Sequence, residues 1–164
     1  MFQRGVTLLE LLVTLAILSI VLVMAVPGLS RQVQQGRVHG AAEELHSAIL
    51  LARTTAVSRN QRVTLLSAGS WESGWVAFAD ANGNGLRDNG ESLIFSGPAL
   101  ESVNIDWNDP AGNYVSFIGT GVSRRANGAL QMGTFSICPA DGEGGLALTL
   151  APSGRLRTSR LDDC

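Results

Sequence analysis

The chain has 164 residues, of which 16% are charged and 45% hydrophobic, with a mean hydropathy of +0.19 and a formal net charge of −2. That length suits one modest domain, and the near-neutral balance gives no global electrostatic case for nucleic acid. A disordered acidic tail, a multi-domain enzyme and a polytopic membrane protein are excluded.

The amino end carries the strongest signal. From Val6 to Val26 the only charged residue is Glu10. The run approaches the roughly 20 residues that a helix needs to cross a bilayer. Arg4 precedes it, so the positive-inside tendency leaves the first residues in the cytoplasm. The basic leader is short, the apolar run is long and no A-x-A site follows, so a retained anchor fits better than a cleaved secretory signal. Glu10 needs a partner, because a carboxylate inside an apolar helix costs about 2.5–3.5 kcal/mol near the bilayer centre. A cut after Gly5 would leave Val6 with a new α-amine one helical turn from Glu10. In an assembly that amine could neutralise a neighbour's carboxylate.

Gly5-Val6-Thr7-Leu8-Leu9-Glu10-Leu11-Leu12-Val13 resembles the class III signal of type IV prepilins and type II secretion pseudopilins. The resemblance implies that prepilin peptidase cuts after Gly5 and N-methylates Val6, and that Glu10, fifth in the mature chain, serves assembly. The family usually begins its mature chain with Phe, and here Val6 stands in that place. Pro27 falls where the family commonly has a helix-kinking proline.

After Pro27-Gly28 the pattern turns amphipathic. Val38, Ala41, Ala42, Leu45, Ala48, Ile49, Ala52 and Ala56 recur at spacings of three and four. One helix from about Thr7 to about Ser58 is expected, kinked or loosened near Pro27. His39 and His46 on it lack the further ligands of a metal site and read as surface or filament-facing residues. From Gln61 onward short apolar runs predict strands at 63–66, 75–78, 93–95, 104–107, 114–117, 134–137 and 147–150, separated by Gly-, Asn- and Asp-rich turns. The expected organisation is a leader at 1–5, a transmembrane and filament-core helix at 6–27, an amphipathic helix at 28–60 and a β-rich head at 61–164. The fold class is α+β and type IV pilin-like, a long amino-terminal helix packed on an antiparallel sheet or β-sandwich.

Trp71-Glu72-Ser73-Gly74-Trp75-Val76-Ala77-Phe78-Ala79-Asp80, followed by an Asn/Gly-rich stretch to Glu91, is similar to the GspH/FimT family of minor pilins and H-type pseudopilins. Within that stretch Asp80, Asn82, Asn84, Asp88 and Glu91, with Gly85 at the sixth position, match the spacing of a calcium loop. Strands flank it, and Asn, Asp and Gly equally suit a plain turn, which is the favoured reading. No other cofactor is implied.

Cys138 and Cys164 are the only cysteines. A head outside the cytoplasm lies where disulfides persist, and one intramolecular pairing is available; two free thiols are the alternative. The pairing resembles the carboxy-terminal disulfide of many pilins. Between them lies Ser153-Gly154-Arg155-Leu156-Arg157-Thr158-Ser159-Arg160, with Arg124-Arg125 as a second pair. This Gly-Arg-x-Arg pattern resembles the DNA-binding motif of FimT-type minor pilins, which implies double-stranded DNA as a partner in natural transformation through an arginine loop. A solvated strand edge is the competing reading.

No nucleophile–base pair or phosphate loop appears, so no enzyme is expected. The expected function is a minor type IV pilin at or near the pilus tip. Its partners would be major and minor pilins, prepilin peptidase and the inner membrane, which it spans once before entering a surface filament. The alternative is the H-type minor pseudopilin of type II secretion.

Overall fold

The computed structural model describes residues 7–141 and 144–164, with the side chains of 22–28 outside the description. Gly5 and Val6 therefore lie outside the described residues.

Helix α1 (Leu8–Arg59) is 52 residues long, about 80 Å at 1.5 Å per residue. Thr7 caps it, its side chain accepting from the Glu10 N–H at 3.2 Å. Asn60 ends it in the left-handed conformation, φ 48°, where a short polar side chain is tolerated. The backbone is helical through Pro27-Gly28.

The eight apolar positions expected on the inner face, Val38 to Ala56, are all buried. Five are alanines, so the sheets approach the helix closely. Eight strands follow: β1 (Val63–Ser67), β2 (Trp75–Ala79), β3 (Leu93–Gly97), β4 (Val103–Trp107), β5 (Tyr114–Phe117), β6 (Gly133–Pro139), β7 (Gly145–Leu150) and β8 (Leu156–Leu161). They form two four-stranded sheets, ordered β3-β2-β1-β5 and β4-β6-β7-β8, with antiparallel neighbours throughout. The helix packs on both sheets, and the core lies between. Phe135 sits at its centre, stacked on Trp107 at 4.1 Å between ring centroids and meeting Trp71 edge-on at 4.9 Å.

The seven expected strands are all present. The eighth, β8, corrects the expected arginine loop: Arg157 and Arg160 lie on a strand, and only Arg155 precedes it. Its run, Leu-Arg-Thr-Ser-Arg-Leu, lacks the apolar alternation of a half-buried strand. It pairs because it is the edge of its sheet, where polar side chains on both faces are tolerated.

Candidate functional site: the apolar helix end and the arginine edge

At the amino end the described apolar residues have nothing covering them. Leu8, Leu9, Leu11, Leu12, Val13, Leu15, Ile17, Leu18, Ile20 and Val21 are exposed on every side of the helix. A helix apolar all round requires a lipid or protein environment. Among the described residues no helical stretch is long and apolar enough to cross a membrane. The described part of the run is 8–21, because the side chains of 22–28 are outside the description. Glu10 is exposed within this surface.

The arginines divide by position. In the pairing of β7 with β8, Leu156 stands opposite Leu150, Thr158 opposite Leu148 and Arg160 opposite Leu146. Those three β7 leucines are buried, so Arg160 lies on the helix-facing side of the sheet. Arg157 stands opposite the exposed Thr149, on the outer side. By alternation Arg155 shares that outer side. Arg155 and Arg157 are exposed, and their side chains make no ion pair or hydrogen bond among the described residues.

The turn that carries Arg155 is fixed from several directions. Ala151 N–H donates to Arg155 O at 2.9 Å, and Gly154 N–H to Ala151 O at 2.8 Å. Arg53 of the helix donates to Ser153 O at 3.1 Å and to Gly121 O at 3.0 Å. Gly154 has φ +77°, and a side chain there would run into Gly121 O and Arg53. Ser123 N–H donates to Pro152 O at 3.0 Å, which brings the Arg124 stretch beside the Arg155 turn.

Arg124 and Arg125 are not equivalent. Arg124 donates to Gly128 O within its own hairpin at 2.7 Å. Arg125 grips Asp109 with two nitrogens, at 2.7 Å from Nη2 and 3.1 Å from Nε. Asp109 is buried, and its hydrogen bond holds the Arg125 guanidinium above the ordinary arginine value, with burial opposing. This pair is a structural tie and the only salt bridge among the described residues. Of the five arginines expected to act together, Arg155 and Arg157 share a free surface, Arg124 is close by, Arg125 is engaged and Arg160 faces the other way.

The Asp80–Glu91 loop closes on itself. Asp80 Oδ2 accepts from Thr64 Oγ1 at 2.7 Å and from Gly85 N–H at 3.1 Å. Its Oδ1 is buried without a partner. Asn82 and Asn84 both donate to Asp88 Oδ2, at 2.7 and 2.8 Å. Glu91 accepts from Ala81 and Asp88 N–H groups at 2.9 and 3.0 Å. Among the described residues no three His, Cys, Asp or Glu side chains gather to hold a metal ion. At the carboxy end Cys138 and Cys164 form a disulfide with Cα atoms 5.7 Å apart, joining β6 to the tail after β8.

A long helix, apolar and exposed at its amino end, mounted on a disulfide-closed head of two antiparallel sheets, is the architecture of a pilin-like structural subunit. The profile of the family described as type II transport protein GspH matches residues 41–154, and the chain belongs to that family. The prokaryotic N-terminal methylation motif matches residues 1–26. Pilin-like protein PilA1 of Thermus thermophilus is 38% identical over 93 residues, 57% of this chain; the chain spans 58% of the length of that curated relative. The type IV minor pilin FimU of Pseudomonas aeruginosa has a similar fold, with TM-score 0.62 at 19% identity over 79% of this chain and 96% of that one. The minor pseudopilin EpsH of the Vibrio cholerae type 2 secretion system gives 0.54 at 13% identity, over 74% and 94%.

Proposed function

We propose that this chain is a minor type IV pilin, cut by prepilin peptidase after Gly5 and N-methylated on Val6. The segment 6–27 anchors it in the inner membrane with the head in the periplasm, until Glu10 and the apolar surface guide it into a filament near the tip. The head binds double-stranded DNA through Arg155 and Arg157, with Arg124 beside them. The observation that carries the DNA reading is the free arginine pair on the outer side of an edge strand, with its turn anchored by Arg53 and Ser123. Guanidinium groups held on a rigid edge suit phosphate oxygens without base selection.

The test is mobility shift of duplex DNA by the full chain. Wild type retards DNA in low salt, and Arg155→Gln/Arg157→Gln does not. Equal retardation by both overturns the site. The H-type pseudopilin is the second reading, supported by the match of residues 41–154 to the family described as type II transport protein GspH. Deleting the gene then abolishes protein secretion and leaves pilus display unchanged.

A further inference from the structure

A cleft of about 820 Å³ opens where the helix enters the head. One wall is a face of α1 that carries Arg31, Gln35, Val38 and His39. The opposite wall is the end of β8, with Arg160 and Asp162. Residues 31, 35, 38 and 39 recur at helical spacing and so present one side. Arg160 reaches the cleft because it lies on the helix-facing side of its sheet, opposite Leu146. The disulfide at Cys164 ties this wall to Cys138, next to Pro139, which also lines the cleft.

Two features suggest a ligand. Arg31, His39, Arg160 and Asp162 are exposed and have no side-chain hydrogen bond or ion pair among the described residues. Two arginines and a histidine thus line the cleft together with one carboxylate, Asp162, among the described residues. The location is the second feature. Val38 is the first described helical residue to be buried in the head, so the cleft is at the head's membrane-proximal end. Arg31 lies four residues beyond Pro27, about 6 Å along the helix, at the depth of lipid headgroups if 6–27 fills the hydrocarbon.

We infer that this cleft takes the headgroup of a phospholipid carrying both a phosphate and a primary ammonium, a phosphoethanolamine lipid. Arg31 and Arg160, joined by His39, hold the phosphate oxygens through charge-assisted hydrogen bonds. Asp162 accepts from the ammonium. A phosphoglycerol headgroup offers Asp162 neutral hydroxyls in place of a cation, and a quaternary ammonium offers it no hydrogen-bond donor. The lipid would steady the head on the bilayer before the subunit is drawn into a filament. This inference rests on the membrane-anchored part of the reading above and does not depend on DNA binding.

The experiment uses the full chain in an uncharged detergent, with lipid retention read by native mass spectrometry. Phosphatidylethanolamine, phosphatidylglycerol and phosphatidylcholine of matched chains are offered in turn. Retention of phosphatidylethanolamine is expected to exceed that of the other two about tenfold. Arg31→Gln/Arg160→Gln is expected to lose about tenfold in retention, while Asp162→Asn erases the preference over phosphatidylcholine. Soluble phosphoethanolamine separates headgroup chemistry from lipid: it should compete only weakly, and competition as strong as the lipid's overturns the lipid assignment. Equal retention of all three lipids, or unchanged retention by the arginine variant, overturns the site. Unchanged thermal unfolding shows that the variants fold, and Arg31→Lys, which keeps the charge, should retain the lipid. Processing after Gly5 is read from the same spectra, so failure of the anchor and failure of the cleft give different results.

Discussion

Replacing Arg155 and Arg157 together by Gln tests the division of the arginines between sheet faces. Gln keeps most of the side-chain length and removes two charges that have no partner among the described residues. Counterion release sets the slope of log affinity against log salt at about −0.9 per neutralised phosphate on duplex DNA. With two fewer phosphates neutralised, the slope flattens by about 1.8. Between about 50 and about 200 mM salt, wild type should therefore lose about 12-fold more affinity than the variant. Fluorescence anisotropy of a labelled duplex, titrated with the full chain at several salt concentrations, reads this directly. Arg160→Gln is the internal control, because its position opposite Leu146 places it on the other side of the sheet. It should keep the wild-type slope. A double variant with the wild-type slope refutes the site, and an Arg160→Gln slope as flat as the double variant's refutes the assignment by face.

Three further predictions concern the head. Cys138→Ser/Cys164→Ser removes a crosslink between residues 26 apart and should cost about 3–4 kcal/mol by loop entropy, read from urea unfolding; a loss under about 1 kcal/mol contradicts it. The Asp80–Glu91 loop is closed by its own hydrogen bonds, so Glu91→Ala should cost about 1–3 kcal/mol and chelation should leave Tm unchanged; a rise in Tm with calcium would favour the ion-binding reading. Arg125 is held above its ordinary value by Asp109. Its contribution is complete below the ordinary arginine range and is lost only as pH rises past the raised folded value. The Tm gap between wild type and Arg125→Gln should therefore be equal at pH 7 and pH 9, and a gap that shrinks would contradict the pairing.

The long helix was legible because its signals are local. The recurrence from Val38 to Ala56 acts within a few residues, and the burial follows that spacing. Seven strands were legible for the same reason, since short apolar runs between Gly- and Asn-rich turns carry a period of two. Strand β8 was not, because its pairing with β7 supplies the backbone partners while its own side chains are mostly polar. The grouping of the arginines was only half legible. The alternation of Arg155 and Arg157 implies a shared side only once they lie along a strand, and the opposite side of Arg160 depends on strand register. The engagement of Arg125 depends on Asp109, sixteen residues away in the chain and on another turn. The cleft at the foot of the head is likewise built from segments distant in sequence. Two cysteines in the chain left free thiols open as an alternative, and only the fold shows that their bond fixes the wall bearing Arg160.

The central claim is that the exposed apolar helix belongs to a processed subunit whose new amino terminus meets Glu10 in a polymer. Intact-mass spectrometry of the chain, produced in cells that contain a prepilin peptidase, tests it most directly. The account predicts a product beginning at Val6 and carrying one added methyl group. A product that still begins at Met1 and carries no methyl would contradict it.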